Sequence, residues 1–182
     1  MDKTPHYLFI MLGFLGSGKS YVSRWLAPKV NGIHIRVDDL RLEMFGEDRP
    51  GLYTPENKAL VNNAIDYMVK QAVSAVTVVL DGNHISAEYR KKLADLAKAQ
   101  GARPVIVHIQ TPLETAKQRT ITREQTEGHK LFAPNLVEDM ARRLEPPTPE
   151  EQIIVIDGLA TAEGQQAQFD EQFAHLQAER LQ

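Results

Sequence analysis

One segment constrains this chain more than any other: Gly13-Phe14-Leu15-Gly16-Ser17-Gly18-Lys19-Ser20. It satisfies G-x-x-x-x-G-K-[ST] at every specified position. Glycines let successive backbone N–H groups turn inward and form a concave nest for an anion, which a Cβ would obstruct. A helix that follows adds its positive N-terminal end. Lys19 then supplies a mobile ammonium for β- and γ-phosphates, and the Ser20 hydroxyl a ligand for Mg²⁺. From average residue frequencies, such a match arises by chance in about one chain of this length in a hundred or fewer. The expected ligand is therefore a nucleoside triphosphate, bound through Gly13, Gly16, Ser17, Gly18, Lys19 and Ser20.

The motif needs a strand before it and a helix after it, and the rest of the chain repeats that alternation. Apolar runs occur at Tyr7–Leu12, Ile33–Val37, Thr77–Leu80, Pro104–Ile109 and Ile153–Ile156. Each is nearly continuously apolar and rich in Val and Ile, as strands buried on both faces of a parallel sheet are. Helix starts are expected at Thr54-Pro55, at Ser86 and at Thr111-Pro112-Leu113-Glu114, where Thr111 is the cap, Pro112 the first helical residue and Glu114 the closing acid of a capping box. Pro28 is expected to end the first helix. Phe169, Phe173 and Leu176 share one face of a closing helix at about 162–181. The fold class is α/β with right-handed crossovers, and ligands in such folds bind beyond the carboxyl ends of the strands.

Composition narrows the partners. The 182 residues are 42% hydrophobic and 25% charged, with no repeat and no long linker, so one domain over 1–182 is expected. The net charge of −3 argues against a broad duplex-binding face but leaves room for a local basic groove. There are no cysteines, which rules out thiolate nucleophiles, disulfides and Cys-ligated zinc and suits a reducing cytosol. The apolar stretch near the N-terminus is too short to span a membrane and no cleavage pattern follows it, so a cytoplasmic protein without signal peptide is expected.

Three further clusters carry chemistry. Asp81 ends the third apolar run, where an acid can hold the magnesium; a bare Asp-Gly turn is the alternative. Asn83 is a plausible contact to substrate or metal water, while His84 reads as structural, as does Asp157 after the last strand. At the end of the second run, Asp38-Asp39-Leu40-Arg41 offers a carboxylate to take the acceptor's proton and an arginine for an anionic substrate. Asp39 also suits the cap of a helix over Leu40–Phe45, leaving Asp38 as the base. Arg119 and Arg123, four apart, share one helix face of a lid at about 119–134, where they could neutralise charge that develops during transfer.

Taken together, these pieces resemble the P-loop kinases grouped with the kinase domain of polynucleotide 5′-kinases and, more distantly, with zeta-toxin-like kinases. The resemblance rests on Gly13–Ser20, Asp38–Arg41, Asp81–Asn83, Arg119 with Arg123, and the stretch Leu144–Glu151. It implies a three-layer α/β/α sandwich whose five-stranded parallel sheet has the phosphate-loop strand at its centre, closed by a helical lid. It further implies that Asp38 activates the acceptor hydroxyl and Arg41 holds a substrate phosphate. Arg123 would contact the transferred phosphate and Arg119 would lie near the nucleotide. There are two departures from that pattern: Phe14-Leu15 stands where many relatives have a small residue and proline, and Gly82-Asn83 replaces a Thr-Asn pair, the one that bears on the acceptor.

The expected activity is transfer of the ATP γ-phosphate, with Mg²⁺, to a hydroxyl of a small molecule or nucleotide. The alternatives are a polynucleotide 5′-hydroxyl kinase and a nucleotide-dependent ATPase or switch that phosphorylates nothing. A GTPase is not expected, because the chain has no Asn-Lys-x-Asp guanine-reading motif.

Overall fold

The computed structural model describes residues 5–46, 50–127 and 135–178. Five parallel strands, β1 (Tyr7–Leu12), β2 (Ile33–Arg36), β3 (Val78–Asp81), β4 (Arg103–Gln110) and β5 (Ile153–Asp157), form one sheet in the order β2-β3-β1-β4-β5. The strand that feeds the phosphate loop is therefore central, hydrogen-bonded to β3 on one side and β4 on the other. Every residue of β1 is buried, because helices cover both faces.

On one face, Leu8, Ile10 and Leu12 pack with Val61, Ile65 and Val69 of α3 (Pro55–Ala72) and Leu93 and Ala97 of α4 (Ala87–Ala99). On the other, Phe9 and Met11 pack with Val22 and Leu26 of α1 (Lys19–Lys29) and Phe169 of α7 (Ala162–Ala178). An aromatic cluster seals that second face: Phe9 lies 5.7 Å from Phe169 and 5.5 Å from Phe173, both edge-on. The α/β/α sandwich is thus realised, with α2 (Val37–Phe45) following the carboxyl end of β2, α5 (Leu113–Glu127) following that of β4, and α6 (Leu136–Arg143) packed on α5 through the Lys117–Glu138 ion pair. Among the described residues no helix is long and apolar enough to cross a membrane.

Several boundaries differ from those the sequence suggests. β2 stops at Arg36 and α2 starts at once with Val37, so Asp39 does not cap a helix beginning at Leu40. Both Asp38 and Asp39 sit inside the first turn, where carboxylates meet the helix's positive end. β3 begins one residue later than its apolar run and includes Asp81, which pairs in register with Arg36. α1 continues through Pro28 to Lys29, since a proline in the last turn removes only one bond. Thr54 caps α3 as expected, its hydroxyl accepting from the Asn57 amide at 3.2 Å. Thr111 does not cap α5 in the expected way. The Ala116 amide bonds to the Pro112 carbonyl, and the Thr111 hydroxyl turns instead to the Ser17 carbonyl at 2.8 Å. Residues 128–134 of the expected lid and 179–181 of the closing helix lie outside the described residues.

Candidate functional site

The site begins with the loop between β1 and α1. The Ser17 amide bonds to the Phe14 carbonyl at 3.1 Å, closing the turn, and Gly18 flanks the helix with φ +104°. Gly16, at φ +79°, lies so close to α5 that a Cβ would stand 2.2 Å from the Ala116 carbonyl oxygen. Only glycine meets both demands at position 16. The loop is pinned from outside as well, since the Thr111 hydroxyl holds the Ser17 carbonyl and Gly158 packs against both. These contacts fix a backbone cradle whose shape an anion would fill.

Lys19 opens α1 and is only 8% exposed. Its ammonium donates to the Phe14 carbonyl at 3.0 Å. Burial pushes its pKa down to about 8, while Asp81 and then Asp38 hold it up and Arg123 pushes it down. Charged residues from β3, α2 and α5 thus act on the Lys19 ammonium at the start of α1.

Asp81, 4% exposed, stands opposite the first turn of α1. Its Oδ1 accepts from the Ser20 hydroxyl at 3.2 Å. Its Oδ2 accepts from His34 Nε2 at 3.3 Å and lies 3.7 Å from Arg36 Nε. Among the described residues no group of three or more His, Asp or Glu could hold a metal without help. The pair Ser20–Asp81 nevertheless fits Mg²⁺, which uses one or two protein oxygens together with substrate phosphates and keeps its waters.

In the first turn of α2, Asp38 has a side chain 60% exposed and accepts from Arg41 Nη1 at 3.1 Å. Arg41 does not face solvent: its side chain is 12% exposed and its guanidinium lies 4.5 Å above the Tyr53 ring. Arg119 is tied to the turn after β5, with Nη2 donating to the Gly158 carbonyl at 2.9 Å and Nη1 facing Gly18. Arg123, one turn further along α5, is exposed and lies within electrostatic reach of Lys19. Asn83 is exposed two residues beyond Asp81. The structure therefore gathers Lys19, Ser20, Asp38, Arg41, Asp81 and Arg123, and separates Arg119 towards the β5 side.

His84 is buried and neutral. Desolvation pushes its pKa down to about 4, and its Nδ1 donates to the Met11 carbonyl at 3.1 Å. The carbonyl of the same residue accepts from Arg90, which fixes the loop that carries Asn83. Asp157 uses one carboxylate oxygen to accept from the Leu159 amide at 2.8 Å, a turn contact. Sequence reasoning missed His34, Arg36, Tyr53 and Arg90. The signal for the first two was present: polar residues at 34 and 36 in an otherwise apolar strand point to one face, and something on that face must pair with them.

A protein-family model described as an AAA domain matches residues 8–147. No curated protein gives a significant match by sequence. Solved structures with the same fold include a gluconokinase from Sinorhizobium meliloti 1021, 21% identical, with a TM-score of 0.71 over 99% of this chain and 97% of that one. Chaetomium thermophilum Kti12, in complex with ADP-AlF3, is 19% identical with a TM-score of 0.71, covering 92% of this chain and 97% of that one. A chain of the Pnkp1/Rnl/Hen1 RNA repair complex is 21% identical with a TM-score of 0.66, over 79% of this chain but 46% of that one. At these identities the likeness is one of fold.

Proposed function

The chain belongs to the AAA domain family, and from that premise we propose that it is an ATP-dependent kinase, moving the γ-phosphate to a hydroxyl of a small molecule or nucleotide. The observation that carries this reading is the convergence on Lys19. Asp81, with Ser20 bonded to it, lies on one side of that ammonium, and Asp38 and Arg123 act on it from α2 and α5. A protein that only bound nucleotide would need the first pair but not the second. The acidic balance of the chain favours a small acceptor over a nucleic-acid end.

In this reading residues 1–182 work as one domain, and α5 is the described part of a lid. The amides of Gly13, Gly16, Ser17 and Gly18 and the Lys19 ammonium hold the β- and γ-phosphates. Ser20 and Asp81 hold Mg²⁺, which supplies charge neutralisation on the phosphate oxygens when bound. Arg119 contacts the nucleotide from the β5 side. Arg41 anchors the acceptor, stiffened by Tyr53 beneath it, and Asn83 contacts it from the loop after β3. The acceptor O–H gives its proton to the Asp38 carboxylate as its oxygen bonds to the γ-phosphorus. The bond to the β–γ bridging oxygen breaks, ADP leaves, and Arg123 offsets charge on the transferring group.

The test is a screen with γ-labelled ATP against sugars, nucleosides, antibiotics and 5′-hydroxyl oligonucleotides. Label should appear on one small acceptor, and Asp38→Ala should abolish it while leaving ATP affinity unchanged. Label on oligonucleotides alone would move the assignment to a polynucleotide kinase. Steady phosphate release with label on nothing would mark an ATPase and sink the kinase reading.

A further inference from the structure

We propose that His34 is a positioning residue for Asp81, fixing which carboxylate oxygen faces Ser20 and the cation. The inference rests on the reading of Ser20 and Asp81 as the metal-holding pair. A carboxylate as buried as Asp81 needs hydrogen-bond donors in place of the water it has lost. Its Oδ1 has the Ser20 hydroxyl. Two groups from the edge strand β2 reach Oδ2, but only one makes a hydrogen bond. Arg36 Nε is 3.7 Å away, beyond bonding distance, and Arg36 Nη1 is committed to Asp39 at 2.6 Å. His34 Nε2, at 3.3 Å, is within reach. Because a carboxylate only accepts, the contact requires the proton on Nε2.

The sheet register explains why this side chain is available. Arg36 lies directly opposite Asp81, and His34 lies opposite Val79, two residues back on the same face. From that diagonal position an imidazole is long enough to meet the far carboxylate oxygen. The terminal torsion of aspartate is broad and two-fold, so a carboxylate bonded at one oxygen is free to swing. Bonded at both, it presents Oδ1 to Ser20 in one orientation. His34 is half-buried in a strand whose neighbours Ile33 and Ile35 are apolar, and Asp81 is the partner its ring meets. A partner for Asp81 is the use that its polarity has there.

The test compares wild type with His34→Ala, His34→Gln and Asp81→Asn. Mn²⁺ binding to the ADP complex is measured by paramagnetic resonance, and metal-free ADP affinity by calorimetry. His34→Ala should weaken Mn²⁺ binding about tenfold, the usual scale for losing a partner of a metal-holding group. Metal-free ADP affinity should not move. His34→Gln should stay within about threefold of wild type, because its Nε2 can donate to the same oxygen. ¹⁵N shifts of the wild-type ring should show a proton on Nε2. Equal Mn²⁺ affinity in wild type and His34→Ala, an equal loss in His34→Gln, or an unprotonated Nε2 would each overturn the proposal. If Asp81→Asn bound Mn²⁺ as wild type does, the metal reading itself would fall, which the Asp81 variant detects independently of the His34 pair.

Discussion

Arg90 is fully buried, and one edge of its guanidinium meets Glu151 through two bonds: Nε lies 2.7 Å from Oε1 and Nη2 lies 3.2 Å from Oε2. The same guanidinium donates to the carbonyls of His84 and Pro146. Arg90 therefore ties the loop after β3 to the segment that leads from α6 into β5. Glu151 is the carboxylate paired with this buried cation, so removing either partner leaves a buried charge uncompensated.

Glu151→Gln should cost about 3–5 kcal/mol in urea unfolding, and Arg90→Met a similar amount. The double variant Arg90→Met/Glu151→Met should recover much of that loss, since it buries no orphan charge. If the single variants unfold at the wild-type midpoint, the pair is not the tie described here.

Lys19 makes nucleotide binding pH-dependent in a direction set by its burial. Its folded pKa is about 8, below its ordinary value of 10.5. Between those two values the unfolded chain holds more protons than the folded one, so stability from this group rises with pH across that window. Phosphate binding reverses the preference by favouring the ammonium. ADP binding should take up about one proton per site near pH 9 and far fewer near pH 7, as measured by calorimetry in buffers of different ionisation enthalpy. Affinity should fall by up to tenfold per unit above about pH 8. Lys19→Met should bind weakly and show no such uptake.

The phosphate loop and the five strands were legible because each follows from local chemistry. Positive φ demands glycine, and a strand buried on both faces demands an apolar run. The misplaced boundaries fall where that chemistry gives no local sign. Arg36 passes into Val37 with no turn residue between strand and helix. Arg90 was illegible for a different reason. It is the first of three consecutive cations, and nothing distinguishes it from exposed Lys91 and Lys92 until folding brings Glu151, 61 residues away, against it. His34 likewise acquires a purpose only when β2 lies beside β3. Asp38, Asp81, Arg119 and Arg123 were readable as chemical types, but that Asp38, Asp81 and Arg123 face Lys19 while Arg119 is tied to Gly158 depends on the sheet order.

That separation makes Arg119 and Arg123 distinguishable. Arg119 is fixed to the Gly158 carbonyl beside Gly18, while Arg123 acts on the charge of Lys19. Arg119→Ala should weaken ADP and ATP alike, by about tenfold for the loss of one charge-assisted contact. Arg123→Ala should leave ADP affinity within about twofold and lower the rate of γ-phosphate transfer by about 10² or more. Equal effects of both variants on ADP affinity would contradict the division.

Neighbouring loop positions should respond oppositely to alanine. Gly16 sits at φ +79°, and a Cβ there would meet the Ala116 carbonyl oxygen at 2.2 Å and the Thr120 hydroxyl at 2.7 Å. Thr120 cannot simply turn away, because its hydroxyl already donates to that same Ala116 carbonyl at 2.9 Å. Relief requires the loop to part from α5, so Gly16→Ala should cost about 2–4 kcal/mol and abolish nucleotide binding. Ser17 is the contrary case. Its hydroxyl is buried without a hydrogen-bond partner among the described residues, while its carbonyl accepts the bond from Thr111 that holds the loop. Ser17→Ala removes the orphan and keeps the carbonyl, so stability should rise by about 1 kcal/mol or stay unchanged. Thermal unfolding without nucleotide separates the two outcomes. A marked loss in Ser17→Ala would mean that the hydroxyl has a partner after all, and nucleotide binding by Gly16→Ala would mean that the cradle does not depend on its contact with α5.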